Sequence, residues 1–531
     1  MKKTVALLLI ILTMLVTFGA CGSPTTPQSS TQDESNTITV CFETGGKAEV
    51  QSLKIEPDTI PLVPEAPVAE GYVFAGWFFD EELTNRYFFD HALQEDTTLY
   101  ARFYDTTLGE YVVISNVEQL LTIKDAPDAK YLFACSINCV GETLDPISNF
   151  TGEIEGNGYK IFNFAIKSGA NNAGFIGVNR GTVKNLSFSD FIFDIRNGSE
   201  QSKNIAVVCG KNYATVQNCH VLDGEIKIRA YTVNESVACL GSIVGDNDGI
   251  IENCTNRASL KIENPTEGGA AVCGGIVGRS NANGKITRCV NKGEIDFCIE
   301  DRGWINTSTG GIIGTNNGKI EHSANFGNIN VYHASSSRTG SSKSNIGAFV
   351  GNAFNGEIKN CYAICEVKAN LTKNHADCWI GGFSGRNNGK IYNCYSDVNL
   401  DVVCQKTHTV GGFVGANLLS SGKEAIISKC FALGTVKVNK ELTHCGCFAG
   451  ANTGDVGSCI YADSLAINLI TEETNEETGE VVETLTALEP TCTAGEAKPE
   501  SEILSVNFLE NTLYFDRMIW LLVEGERPVL R

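Results

Sequence analysis

The chain has 531 residues, a formal charge of −21, 54 Gly, 12 Pro, 3 Met and 21 Cys. That acidity excludes a binder of the nucleic-acid backbone, which needs clustered Lys and Arg; it suits a protein kept soluble by its charge. Charged residues are only 19%, and turn formers outnumber helix formers, so the chain reads as mostly β.

Residues 1–20 read as a signal peptide: Met1-Lys2-Lys3 is basic, Val5 to Val16 is apolar except for Thr13, and Gly19-Ala20 are small. The apolar run is short for a membrane-spanning helix. Gly19-Ala20-Cys21 resembles the bacterial lipobox, with Phe18 where Leu is usual. The resemblance implies that Cys21 becomes the mature N-terminus, carries acyl chains and holds the protein on the extracellular face of the bacterial cell membrane. Residues 21–36 hold Pro, Ser, Thr, Gln and acids and no apolar residue beyond Cys21. They form a flexible tether.

Residues 37–104 predict a small β domain. Ile38-Thr39-Val40-Cys41-Phe42 alternates as a half-buried strand does. Gly45-Gly46 turns the chain, Pro61, Pro64 and Pro67 keep it extended, and Gly71-Tyr72-Val73-Phe74-Ala75-Gly76-Trp77 and Thr98-Leu99-Tyr100-Ala101 supply aromatic strands. This order resembles the internalin-type B repeat, a β-grasp-like module of bacterial surface proteins that serves as spacer or interaction unit. Tyr72, Phe74, Trp77 and Tyr100 read as the core of a domain with little else to bury.

From 107 to 460 the chain repeats. A capping helix is predicted over 116–124, from Asn116 and the Val117, Leu120, Leu121 spacing. A strand-closing glycine then recurs at Gly177, Gly210, Gly245, Gly278, Gly314, Gly351, Gly385, Gly415 and Gly450. Two residues later stands Asn at 179, 212, 247, 316, 387, 417 and 452, and the next strand opens on Val or Ile at 183, 216, 251, 286, 320, 358, 391, 427 and 456. Cys follows at 219, 254, 289, 361, 394, 430 and 459, with Leu186 and Ser323 in its place elsewhere. Such periodicity is the mark of stacked coils. The fold class is all-β: a right-handed parallel β-helix of about nine coils preceded by the small β-grasp-like domain. Each coil is expected to hold three strands, with Gly at corners of positive φ and Asn at corners where it tolerates left-handed backbone and hydrogen-bonds to its neighbours in a ladder. A propeller needs four antiparallel strands per blade and fits less well. Gly274-Gly275-Ile276-Val277-Gly278 and Gly411-Gly412-Phe413-Val414-Gly415 resemble the GLUG repeat. That family implies display on the bacterial surface; its members include adhesin-like proteins and proteins that also carry an immunoglobulin-A metallopeptidase domain. Residues 471–502, rich in Glu and Thr, read as a mobile acidic loop. Residues 503–531 regain apolar side chains and should cap the open end.

The repeat cysteines share one stacked position, where Cys packs as a small hydrophobe, so most are expected as free thiols. No catalytic residue, metal site or cofactor is assigned. His-Glu-x-x-His is absent; His375-Ala376-Asp377-Cys378 and His444-Cys445-Gly446-Cys447 lie in different repeats; and Asp246 and Asp248 occupy the repeat's own turn. The outward acids Asp296, Asp397 and Asp401 form no cluster. Ligand contact is expected in variable loops lining one side of the coil, at Tyr231, Trp304, Tyr332, His333, Trp379 and His408. The expected function is a non-catalytic, lipid-anchored surface protein for adhesion or binding. Its partners would be the membrane, through the lipid, and a host or cell-wall glycan or surface protein, with no nucleic acid. A passive stalk and a polysaccharide-degrading β-helix enzyme are the alternatives.

Overall fold

The computed structural model describes residues 37–166, 170–199, 203–232, 237–263, 269–300, 305–335, 342–373, 375–404, 408–420, 424–442, 444–474 and 481–531. The signal segment, Cys21 and the tether lie outside the described residues. The chain forms two compact units, one running to Glu65 and from Trp77 to Ala101, the other comprising Ala66–Gly76 and Arg102–Arg531.

The N-terminal strands are β1 (Ile38–Glu43), β2 (Leu53–Ile55), β3 (Tyr72–Phe78), β4 (Arg86–Tyr87) and β5 (Thr97–Asp105). They form one sheet in the order β2-β1-β5-β3-β4. The β1–β5 pair is parallel, while β1–β2 and β3–β4 are antiparallel. Alternation along β1 buries Val40 and Phe42, and Phe42 packs on Trp77 with ring centroids 4.7 Å apart. Trp77 is therefore core. Tyr72, Phe74 and Tyr100 are half-buried.

The repeats fold as a parallel β-solenoid. One coil shows the plan: Val237–Leu240, Val244–Asn247, Ile250–Glu252, then Thr255–Asn256 and Ser259–Glu263. These strands belong to four successive faces, here called first to fourth. Nine parallel strands stack in the first face and nine in the second; the third gathers twelve. The expected three strands per coil thus become four faces, because the Gly-Gly-x-x-Gly segment bends the first predicted strand in two.

That bend explains the glycines differently from the sequence reading. None of the nine closing glycines has positive φ. Instead, a Cβ on Gly278 would stand 2.4 Å from the backbone nitrogen of Leu240, and one on Gly385 would stand 2.4 Å from that of Ile346. The second face of one coil approaches the first face of the coil before it at backbone distance, which leaves no room for a side chain. The Asn expectation is corrected for its backbone, while its ladder is present. Asn179, Asn212 and Asn247 are not left-handed; the left-handed corner falls later, at Asn185, Asn218, Asn253, Arg288, His322, Asn360, Asn393, Lys429 and Ser458, with φ between 49° and 56°. The repeat Asn instead closes the turn between the second and third faces: its Oδ1 accepts the N–H two residues on, as at Asn247 and Gly249. Its Nδ2 climbs to the next coil, with Asn179 to Asn212, Asn212 to Asn247, Asn387 to Asn417 and Asn417 to Asn452 all at 2.8 Å. A second inward ladder, Asn256–Asn291–Asn325, was not read from the sequence.

Inside, Val or Ile stacks on its copies, and Phe349, Phe383, Phe413 and Phe448 stack with centroids 4.7 to 4.9 Å apart and planes within 5°. The strand spacing imposes this face-to-face arrangement, since free aromatic pairs prefer an offset. The seven repeat thiols are buried. Each donates to the carbonyl two residues earlier, at 3.1 to 3.5 Å, and lies near the preceding coil's backbone. All 20 described cysteines are thiols.

The expected N-terminal helix is present, while the C-terminal end is closed by another segment than expected. The helix Val117–Leu121 starts on Asn116, whose side chain accepts from the Gln119 N–H, and it buries Leu120. Residues 471–502 are not a mobile loop among the described residues: Ile467–Thr474 and Val481–Leu488 form an antiparallel hairpin, and Glu496–Lys498 adds to Ile460–Ala462. The Thr491 and Cys492 N–H groups both donate to the Cys445 carbonyl, so this segment covers the last first-face strand. Residues 503–531 clasp the flank instead. Trp520 and Phe515 cover an outward stack of Tyr362, Tyr395 and Phe431, and Tyr395 Oη donates to the Pro528 carbonyl at 2.6 Å.

Two outcomes follow for stability. Gly278→Ala forces a Cβ into backbone, and should lower stability by about 1–3 kcal/mol in urea unfolding; a neutral result would contradict the packing. Burial pushes the Cys209, Cys219 and Cys239 thiols up from 9.0 to about 12. The unfolded chain therefore loses these protons near pH 9 while the folded chain keeps them. Stability should be fully present below pH 9 and decline as pH rises from 9 toward 12, read from urea midpoints across that window.

Candidate functional site

The candidate site lies where the outer rows of the first and second faces meet. Trp379 comes from His375–Gly381 in the first face and Arg386 from Ser384–Asn387 in the second. Gly381-Gly382 turns the chain between them, and the guanidinium carbon lies 5.1 Å from the indole centroid. Lys343, one coil earlier, places Nζ 5.9 Å from the same ring. Strand register sets the neighbours: Asn345 and Thr409 flank Trp379, while Asn352 and Ala416 flank Arg386.

Several polar atoms here are left unmatched. Asn345 is only 9% exposed; its Nδ2 donates to Ser308 Oγ at 3.0 Å, and its Oδ1 has no hydrogen-bond partner. Asn352 Oδ1 and Arg386 Nε also lack one. No described carboxylate pairs with Arg386. Burial alone lowers its pKa from the ordinary value, which means that nothing nearby compensates the charge.

The same second-face row supplies a comparison. Lys211, Asp246, Arg279, Thr315, Asn352 and Arg386 occupy one position in successive coils. Arg279 makes a fork to Asp246, with Nε to Oδ1 at 2.9 Å and Nη2 to Oδ2 at 3.0 Å. Lys211 stands 3.4 Å from the same carboxylate, and Asn281 donates to it at 3.0 Å. Burial opposes the charge on Asp246, but these contacts outweigh it and hold the carboxyl below its ordinary pKa. Arg279 is thus internally neutralised. At Arg386 the residue one coil earlier is Asn352, which carries no charge.

The other predicted contact residues divide. Trp379 is half-buried on a strand rather than in a loop. Tyr332, also half-buried, sits within Ile329–Ser335. His333 and His408 are corrected: both are buried, at 0% and 3% exposure. Inward alternation continues from Ile329 and Val331 to His333, whose Nδ1 is 3.2 Å from Ser344 Oγ, and His408 leads directly into Thr409–Gly411. Trp304 lies outside the described residues, as does the Tyr231 side chain. Arg386, Asn345 and Asn352 were missed. Arg386 and Asn352 occupy the variable place between the closing Gly and the position after it, a signal readable once the coil register is known.

Catalytic and metal chemistry find less. Among the described residues no group of three His, Cys, Asp or Glu could hold a metal. Cys445 is buried and His444 exposed. Asp397 pairs with Arg527, and Asp401 lies on a polar surface beside Lys368 and Lys437. One carboxylate pair does converge: Glu294 and Asp296 both accept from Asn330 Nδ2, at 2.7 and 2.8 Å.

Residues 39–102 match the family model of the Listeria-Bacteroides repeat domain, in keeping with the resemblance to a B repeat. Two curated proteins of Evansella cellulosilytica, provisionally named a membrane protein and a Gly-rich membrane protein, are 36% identical over 81 residues and 35% over 83. Each alignment takes in 15% of this chain and only 12% and 9% of those relatives' own length. Among solved structures, a provisionally named immunoglobulin A1 protease from Bacteroides ovatus aligns with 14% identity and TM-score 0.30, over 79% of this chain and 92% of its own. A second, named IgA1 protease, aligns with 15% identity and TM-score 0.32, over 85% of this chain and 28% of its own. Likeness at that level carries nothing about activity. The class, an all-β parallel solenoid preceded by a small sheet domain, rests on the strand register. No described helix is long and apolar enough to cross a membrane.

The contrast between the two arginines predicts unequal costs. Asp246→Ala leaves Arg279 unpaired and should cost about 3 kcal/mol or more. Arg386→Gln should stay within about 0.5 kcal/mol of the parent. Thermal and urea unfolding of both variants checks this; equal losses would contradict the assignment.

Proposed function

We propose that this chain is a lipid-anchored surface protein of a bacterium, tethered through Cys21, whose GLUG-type solenoid binds a glycan or a surface protein without catalysis. The observation that carries the reading is the Trp379–Arg386 pair: a cation stacked on an aromatic ring, partly buried, with no counter-charge among the described residues. A purely structural coil would neutralise such an arginine, as Arg279 is neutralised by Asp246. The basic, apolar and small-residue order up to Cys21 supports export and anchoring. The membrane-protein names of the two relatives, over the short stretch they share, point the same way.

A polysaccharide-degrading enzyme is the second reading, favoured by Glu294 and Asp296 meeting on one amide, since glycoside hydrolysis uses paired carboxylates. Both sit on a strand face beside lysines such as Lys261, which suits a charge-paired surface equally well. Purified chain applied to a glycan and host-protein array, with a polysaccharide panel assayed for turnover, separates the two. Binding without turnover is expected. No binding together with turnover, lost in Glu294→Gln, would overturn the proposal.

A further inference from the structure

We infer that the Trp379–Arg386 angle is a subsite for a sugar ring that bears a carboxylate. The inference rests on the binding role proposed above and names the chemistry of its ligand.

The donors and acceptors at the site are specific. The indole holds the guanidinium by its face, with the carbon 5.1 Å from the ring centroid. Stacking of that kind leaves the N–H edges for a ligand; Nε is buried, so the terminal edge of the two Nη groups is the one a ligand meets. That edge is a rigid fork whose geometry fits a carboxylate through two parallel hydrogen bonds. Arg279 makes a fork of this kind, through Nε and Nη2, to Asp246 on the same row of the coil. At Arg386 the partner must come from outside, because the preceding coil offers Asn352.

The remaining unmatched atoms are acceptors. Asn345 Oδ1, in a side chain 9% exposed, and Asn352 Oδ1 have no donor. Both oxygens are buried away from the surface, so they form a polar wall behind the ring and meet no ligand directly. Lys343 adds a second positive charge beside the ring. One ligand chemistry meets the accessible groups: a carboxylate for the guanidinium and the ammonium, and an apolar ring edge beside the indole. Inorganic phosphate has no apolar ring, and a neutral sugar leaves the arginine without a counter-charge. Successive coils repeat at about 4.8 Å, so a chain of such sugars could run on past Ser308 and Thr315.

The test is calorimetric titration of the purified chain with two acidic probes, hexagalacturonate and 3′-sialyllactose. They distinguish a uronate polymer from a terminal sialic acid as the source of the carboxylate. Methyl-esterified hexagalacturonate and maltohexaose are the neutral arms. At least one acidic probe should bind. Arg386→Gln should weaken it at least tenfold, and Arg386→Lys should weaken it too, because a point charge lacks the fork. For hexagalacturonate, esterification should weaken binding to the same degree. Thr435→Ala, on the fourth face, should leave binding unchanged, and urea midpoints show that each variant is folded. The inference is overturned if neither acidic probe binds, if the ester binds as well as the acid, or if Arg386→Gln binds as well as the parent. Binding of maltohexaose alone, lost in Trp379→Ala, would overturn the acidic-sugar assignment while leaving the general binding role intact.

Discussion

Backbone meets backbone where the second face of each coil passes the first face of the coil before it. Everything else in the solenoid is arranged around that approach. A Cβ at Gly278, Gly314, Gly351 or Gly385 would lie within 2.6 Å of main-chain nitrogen, so these positions accept glycine alone. Their close fit bends one long apolar segment into two strands. It also narrows the coil, so that a single stack of Ile or Phe fills that part of the interior. And it brings the outward residues of two faces side by side, although six residues of chain lie between Trp379 and Arg386. The binding site proposed here is a by-product of the same contact that makes the repeat.

Much of this could be read in the residues. The period, the β-branched strand openings and the Cys positions led directly to stacked coils, because each is an inward row repeated at a fixed register. The Asn ladder is legible too, but the backbone conformation of Gly and Asn is not, for a physical reason. Glycine serves both where φ is positive and where two backbones touch, and the sequence looks the same in each case. Asparagine tolerates the left-handed region and also bridges coils through its amide; here the second property decides at Asn212 and Asn247, while the first decides at Asn218 and Asn253. His333 and His408 fall where each repeat inserts its variable loop, yet both are buried, His333 by the inward alternation of its strand and His408 at the start of the next.

Charge shows what a register can do that local sequence cannot. Lys211, Asp246 and Arg279 lie more than thirty residues apart in the chain and form one compensated group on adjacent coils. Arg386 follows Asn352 in that row and is left uncompensated. The difference between a structural arginine and a ligand-facing one is therefore a single carboxylate, one coil away. The sequence contains that fact, but only the alignment of coils makes it visible. The tail behaves similarly. Its aromatic residues looked like an end cap, whereas Trp520 and Phe515 find a better apolar surface in the outward Tyr362–Tyr395–Phe431 stack. Residues 481–498 close the last coil with hydrogen bonds that the open strand edge requires.

The account's central claim is geometric: the close approach of two faces creates an arginine whose counter-charge must be supplied by a ligand. A crystal structure of the chain soaked with trigalacturonate tests it most directly. The expected result is a carboxylate on the terminal N–H edge of Arg386, with the sugar ring beside Trp379. A ligand bound elsewhere on the coil, or an Arg386 guanidinium found paired to a carboxylate of the chain itself, would contradict it.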